Sequence, residues 1–347
     1  MGSNLIIVVF AVVVVGGMGS ILGSIVTGLS LGLVEGLTKV FYPQFVMLAL
    51  CFGLFACAFN LLIGFGGLLS FGHAMFLGMA SYFAAYLAKS GVNLETVTIF
   101  SHPFTLGWHM APLSPALAIV VAVAGTALLG YVAGLLAIKR QGIYFAMITL
   151  ALAQMVFFFC LQAPFTGGED GIQAVPRGKL FGVWDLKNDM LMYYVVMAVF
   201  AAGVLLIYRI IHSPFGQVLK AIRENEPRAI SIGYRTERYK LAAFVLSAAL
   251  AGLAGATKAI AFQNASLTDV QWQMSGEVVL MTLLGGMGTV FGPVVGAFVI
   301  VAMQFYLSDL GSWVTIVQGI IFVVCVLAFR RGIVGEIEAW LRARRGP

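Results

Sequence analysis

The residues of this chain that could do chemistry are few, and their spacing suits little of it. Four histidines, His73, His102, His109 and His212, show neither metal-ligand spacing nor an acidic residue at a helical offset, so no metal centre is expected. Ser, His and Asp are too scattered to supply a nucleophile, a base and an orienting acid. A hydrolase reading therefore has little support. No G-x-x-x-x-G-K-[ST] loop occurs, so the chain has no such cradle for nucleotide phosphates. Cys51, Cys57, Cys160 and Cys325 all lie inside apolar runs, where a thiol behaves as a small hydrophobe. No cofactor is expected.

What remains is polar chemistry in an apolar setting. Asn60, Ser70, His73, Thr149 and Gln154 lie in or beside apolar blocks and are the candidates for lining a solute path. His73, beside Ser70, reads more simply as a hydrogen-bonded structural histidine. Two ionisable residues, Lys258 and Glu277, approach the membrane interior, where charge tends to be paired or functional. A Lys258–Glu277 pair near the outer mouth is one reading. The simpler one is that Lys258 snorkels from the outer end of its span and Glu277 begins the next.

The most polar stretch is 213–240. From Arg209 to Lys240 there are seven basic and three acidic residues, in a chain that is 10% charged. A short helix with a mixed-charge face, held between two apolar spans, reads as a surface for another protein. The plainer reading is a solvated loop that follows the positive-inside bias. Pro227 suits the first turn of a helix there, and Gly233 suits its end.

These residues need elements to position them. The chain is 61% apolar with a mean hydropathy of +1.00, whereas soluble domains carry roughly 25% charge. This is an integral membrane protein. Strand-type alternation is missing, which leaves an all-α polytopic helical bundle in the lipid bilayer. The net charge of +6 follows topology and is no nucleic-acid signal. Fourteen of the twenty Lys and Arg fall in 139–140, 209–240 and 330–345, segments that should face the cytoplasm. The first apolar run lacks a basic n-region and a small-residue cleavage site, so it is not read as a cleaved signal peptide.

The apolar blocks fall at 5–33, 42–63, 74–88, 113–138, 143–161, 193–211, 241–262, 278–306 and 314–329. If 278–306 crossed once, the arginine-rich tail would end outside. A break at Gly285-Gly286-Met287-Gly288 makes two short legs and returns the tail to the cytoplasm. The expectation is nine apolar blocks and about ten passes, with such a break covered by protein or lining a cavity. The glycines there and at Gly64–Gly67 mostly permit close helix approach. The block Gly16-Gly17-Met18-Gly19-Ser20-Ile21-Leu22-Gly23 repeats Gly285–Gly292 with five identities in eight.

From about residue 42 to 335 the chain resembles the permease subunits of branched-chain amino acid ABC importers, the LivM-like type. The resemblance rests on an ordered set of motifs: Asn60-Leu61-Leu62-Ile63-Gly64, Gly67-Leu68-Leu69-Ser70-Phe71-Gly72-His73-Ala74, Gly142-Ile143-Tyr144-Phe145-Ala146-Met147-Ile148-Thr149-Leu150 and Thr166-Gly167-Gly168. Ala221-Ile222-Arg223-Glu224-Asn225-Glu226, Tyr239-Lys240-Leu241, Ala251-Gly252-Leu253-Ala254-Gly255 and Leu284-Gly285-Gly286-Met287-Gly288 continue it. Glu226, Ala229 and Gly233 fit the importer coupling pattern E-x-x-A-x-x-x-G. The tail departs from the family's Pro-x-Gly-Leu and reads Arg330-Arg331-Gly332-Ile333. Residues 12–37 look like the C-terminal part of the partner LivH-like permease.

The resemblance implies a permease that binds no nucleotide and is not itself an enzyme. Its partners would be a second, LivH-like permease, two ATP-binding subunits and a periplasmic substrate-binding protein, in the bacterial inner membrane. Arg223, Glu224, Asn225, Glu226, Ala229 and Gly233 would couple to the ATPase. The domains expected are an N-terminal segment 1–40, a permease body 41–330 with its loop at 212–240, and a cytoplasmic basic tail 331–347. The substrate would be a branched-chain or related amino acid. Urea or a short amide is the nearest rival, and a stand-alone secondary transporter or channel is the rival from another class. The latter would need intramembrane carboxylates, which the spans almost lack.

Overall fold

The computed structural model describes residues 43–90, 113–140, 142–180, 184–307, 313–328 and 332–336, with short strands between 92 and 110. The block 1–40 with its glycine repeat, and the tail beyond 336, lie outside the described residues. Apolar runs must pair their backbone groups within themselves in lipid, and the α-helix does this. Helix α1, Pro43–Asn60, continues as a π-helical turn, Leu61–Phe65. Then come α2 (His73–Ser90), α3 (Pro115–Ala137), α4 (Ile143–Gln162) and α5 (Asp189–His212). Two short helices follow, α6 (Pro214–Glu224) and α7 (Glu226–Ser231), before the long α8 (Thr236–Phe262). Helices α9 (Trp272–Gly285), α10 (Gly292–Leu307) and α11 (Trp313–Ala328) complete the bundle. At the end remote from α6 and α7, short antiparallel pairs such as Ile172–Gln173 with Asn264–Ala265 tie the connections together.

Three helices form the interior: α1, α8 and α2, the last with 14 of its 18 residues buried. The spans Gln44–Phe65 and Thr236–Phe262 are 83% and 72% buried, against 28–33% for those of α3, α4 and α5. Helices α1, α2 and α8 are therefore packed nearly all round, and α3, α4 and α5 present wide apolar faces outward. Helix α8 touches α1, α2, α3 and α5, while α1 also meets α9 and α10. Small residues allow this crowding. At Gly255, a side chain would run into the Leu77 carbonyl of α2.

The apolar block 278–306 is broken where the parity argument requires. Helix α9 ends at Gly285, and Gly286 and Gly288 take φ of +119° and +78°, a region glycine enters without strain. The legs α9 and α10 pack against each other as a hairpin. At 14 and 16 residues they rise only about 21 and 24 Å. Gly332, beyond α11, lies against Gly286 at the hairpin tip. The chain thus returns, after α11, to the end of the bundle that carries α6 and α7. Among the described residues nine helices run between the two ends, and the tenth expected pass falls in the N-terminal block.

Candidate functional site

The stretch 213–240 is folded throughout, and local chemistry explains how. Ser213 caps α6 by accepting from the Gly216 N–H at 3.4 Å, and Asn225 caps α7 by accepting from the Arg228 N–H at 3.1 Å. Pro227 occupies the first turn of α7, and Gly233 ends the motif with φ +98°, as expected. Gly216, Leu219 and Ile222 are buried along one side of α6, and Ala229 is buried in α7. Helix α8 begins at Thr236, so its first turn belongs to the same stretch.

Two features of this stretch go beyond what the sequence suggested. Glu226 does not project freely from the surface. Its carboxylate is held by Lys240 Nζ at 2.5 Å, with Lys240 almost fully buried. The outward tip is apolar instead: Ile230, Ile232 and Tyr234 are 55%, 67% and 41% exposed, beside exposed Arg228 and Arg235. Three large apolar side chains inside a charged stretch were the signal available in the sequence.

Behind the tip, a chain of hydrogen bonds runs inward. Arg223 donates to the carbonyl of Gly64 in the π-helical turn. Asn60, one turn earlier, donates to the Thr289 carbonyl at 2.8 Å and accepts from the Gly288 N–H at 3.0 Å. It grips the hairpin tip with both ends of its amide. A side chain at Gly64 would strike the Asn60 amide and the Gly288 nitrogen, so this glycine serves close approach. Phe65, Lys220, Arg223, Glu224 and Gly288 enclose a cleft of about 450 Å³ here, with Lys220 Nζ 5.5 Å above the Phe65 ring.

The other polar candidates brace the same end. Ser70 accepts from the Gly72 N–H at 3.3 Å, and Thr149 of α4 accepts from the Phe71 N–H at 3.2 Å. His73 is fully buried, edge-on to Phe59, Phe76 and Phe244. Its Nε2 meets Ser247 Oγ at 2.7 Å, and that hydroxyl donates to the Ala58 carbonyl at 2.5 Å. The hydroxyl proton being committed, Nε2 carries the ring proton and donates. The structure thus places His73 in an aromatic cage that joins α1, α2 and α8. Gln154 stands apart, half-buried on α4.

Near the opposite end, Lys258 does not snorkel. Its ammonium pairs with Asp269, which is 1% exposed, and lies 5.3 Å from the Phe52 ring centroid. Glu277, the partner in the other reading of Lys258, instead accepts from Gln304 Nε2 at 2.9 Å across the two legs of the hairpin. Desolvation explains the pairing, since a lone buried ammonium is far costlier than a paired one. Asp269 sits in a connection, where its reach into the bundle is invisible before folding. Cys51, Cys57 and Cys160 are free and buried, and no group of His, Cys, Asp or Glu among the described residues is arranged to hold a metal.

Apolar helices wrapped round three interior ones, with a broken hairpin bonded to a folded polar segment, define a polytopic helical membrane protein. The sequence comparisons give its kind. Residues 42–327 match the family described as branched-chain amino acid transport system / permease component, and the chain belongs to that family. It is 26% identical over 311 residues to the high-affinity branched-chain amino acid transport system permease protein LivM of Escherichia coli, covering 83% of this chain and 68% of that one. It is 24% identical to a probable LivM permease of Methanocaldococcus jannaschii, over 76% and 81% of the two chains. It is also 26% identical to the ribose import permease protein RbsC of Bacillus subtilis, over 71% and 78%. No solved structure matches it.

Proposed function

We propose that this chain is a membrane permease subunit of an ABC importer for branched-chain or related amino acids in a bacterial inner membrane. The observation that carries the coupling half of the proposal is the α6–α7 segment. Its apolar tip of Ile230, Ile232 and Tyr234 is turned outward, while its rear is fastened to the bundle through Arg223 and the Lys240–Glu226 pair. That is the form of a lever with a docking pad. An ATP-binding subunit is the partner we assign to the pad, and α6 and α7 then lie on the cytoplasmic side with the C-terminal tail. Arg223, Glu224, Asn225, Glu226, Ala229 and Gly233 belong to the lever, while Ile230, Ile232 and Tyr234 make the contact.

Asn60, Ser70, His73 and Thr149 act in this reading by bracing the lever end of the path, and Gln154 is the remaining polar side chain available to a solute. A second, LivH-like permease completes the path, two ATP-binding subunits drive it, and a periplasmic binding protein delivers the solute. The similarity to LivM proteins supports amino acids as substrates. The similarity to a ribose permease makes ribose the rival to test, beside urea. Proteoliposomes holding the full complex, with ATP inside and the binding protein outside, should take up leucine, isoleucine or valine and neither ribose nor urea. Uptake of ribose or urea instead would overturn the substrate assignment.

A further inference from the structure

We infer that Glu277 is a subsite for a cationic group of the transported solute, the α-ammonium of an amino acid. The inference rests on the amino acid reading above and deepens it. Glu277 lies in the second turn of α9, eight residues before the break at Gly285, or about 12 Å along the helix. A carboxylate at this depth is unfavourable unless something compensates it. The nearby cation is already committed, because Lys258 pairs with Asp269. Among the described residues Glu277 has only one hydrogen bond, from the neutral amide of Gln304.

Among the described residues nothing lies within 4 Å of a side chain added at Gly276, the neighbour of Glu277, and Glu277 itself is only partly covered. Gln304 fixes the carboxylate across the two legs of a broken hairpin, and such discontinuous helices are where membrane transporters place solute sites. A solute carrying an ammonium group supplies the missing countercharge and a charge-assisted hydrogen bond. Ribose and urea are neutral and supply neither charge. Glu277 therefore separates the substrate classes that the family resemblance leaves together.

The test uses the full importer in proteoliposomes with L-leucine as the probe. Glu277→Gln should lower leucine uptake about tenfold, the scale of one lost charge-assisted hydrogen bond. Binding-protein-stimulated ATP hydrolysis, read in parallel, should stay within about twofold of wild type, because the lever is untouched. Glu277→Asp keeps the charge but shortens its reach, so the KM for leucine should rise severalfold with assembly intact. Unchanged uptake in Glu277→Gln overturns the inference, and so does a fall in hydrolysis that matches the fall in uptake. If Glu277→Gln fails to assemble, an unchanged KM in Glu277→Asp overturns it. A wild-type complex that moves ribose or urea and no amino acid removes the underlying reading as well. That failure is seen before any variant is made.

Discussion

The guanidinium of Arg223 donates to the carbonyl of Gly64, joining α6 to the turn that ends α1 across 159 residues of sequence. Asn60 of the same turn holds Gly288 and Thr289, so a shift of α6 reaches the hairpin tip through two side chains. Arg223→Gln should insert and assemble normally, yet lower ATP-driven uptake about tenfold, as expected for one hydrogen bond to a charged group. Comparing uptake per ATP hydrolysed decides the matter. A wild-type ratio would show that the bond only holds α6 in place.

The Glu226–Lys240 pair predicts a rescue. Glu226→Lys places two cations together in a mostly covered site and should destabilise the segment by up to about 3 kcal/mol. The exchange Glu226→Lys with Lys240→Glu should recover much of the lost uptake. If the importance of Glu226 lies in a contact with the ATP-binding subunit, the exchanged pair will stay inactive. Ile232→Asp, by contrast, should release that subunit in a pull-down while thermal stability is unchanged.

The hairpin brings the chain after α11 to the end that carries α6 and α7, the end we propose to be cytoplasmic. On a background without the four native cysteines, a single cysteine at Asp185 should react with an impermeant thiol reagent added outside. One at Arg342, in the tail, should react only after the membrane is opened. External labelling at Arg342 would place the tail, and with it the lever, on the wrong side for an ATP-binding partner.

The N-terminal block is predicted to support assembly and not selection. Its repeat of the Gly285–Gly292 pattern fits close packing through small residues, while the family match begins only at residue 42. Deleting residues 1–36 should lower the amount of assembled complex and leave the ranking of solutes unchanged. Uptake per assembled complex over a panel of amino acids, ribose and urea measures this. A changed ranking would assign the block to the path.

Much of this architecture is legible in the sequence because lipid leaves few alternatives. Each apolar run among the described residues is helical, and block 143–161 became Ile143–Gln162 almost unchanged. The hairpin break was also legible, since a charge-based parity argument needs only the order of the spans. Pairings across the fold were not. Lys258 finds Asp269, and Lys240 finds Glu226, through turns whose geometry no periodicity encodes. The cage around His73 draws Phe59, Phe76 and Phe244 from three helices, and nothing in their spacing announces it. The Glu226–Lys240 pair joins residues fourteen apart, and their charges alone do not announce it.

The seating of Gly332 against Gly286 also sets an order of construction. Ribosomal synthesis delivers α9 and α10 before α11, and one wall of the hairpin tip belongs to residues that emerge after α11. Asn60 can grip Gly288 early, but the tip stays uncovered on its other side until the last helix has inserted. A chain that stopped short of Gly332 would therefore hold all the described spans and still lack the contact that Gly332 makes with Gly286. Completion of the tail is in this sense the final fastening of a hairpin laid down well before it.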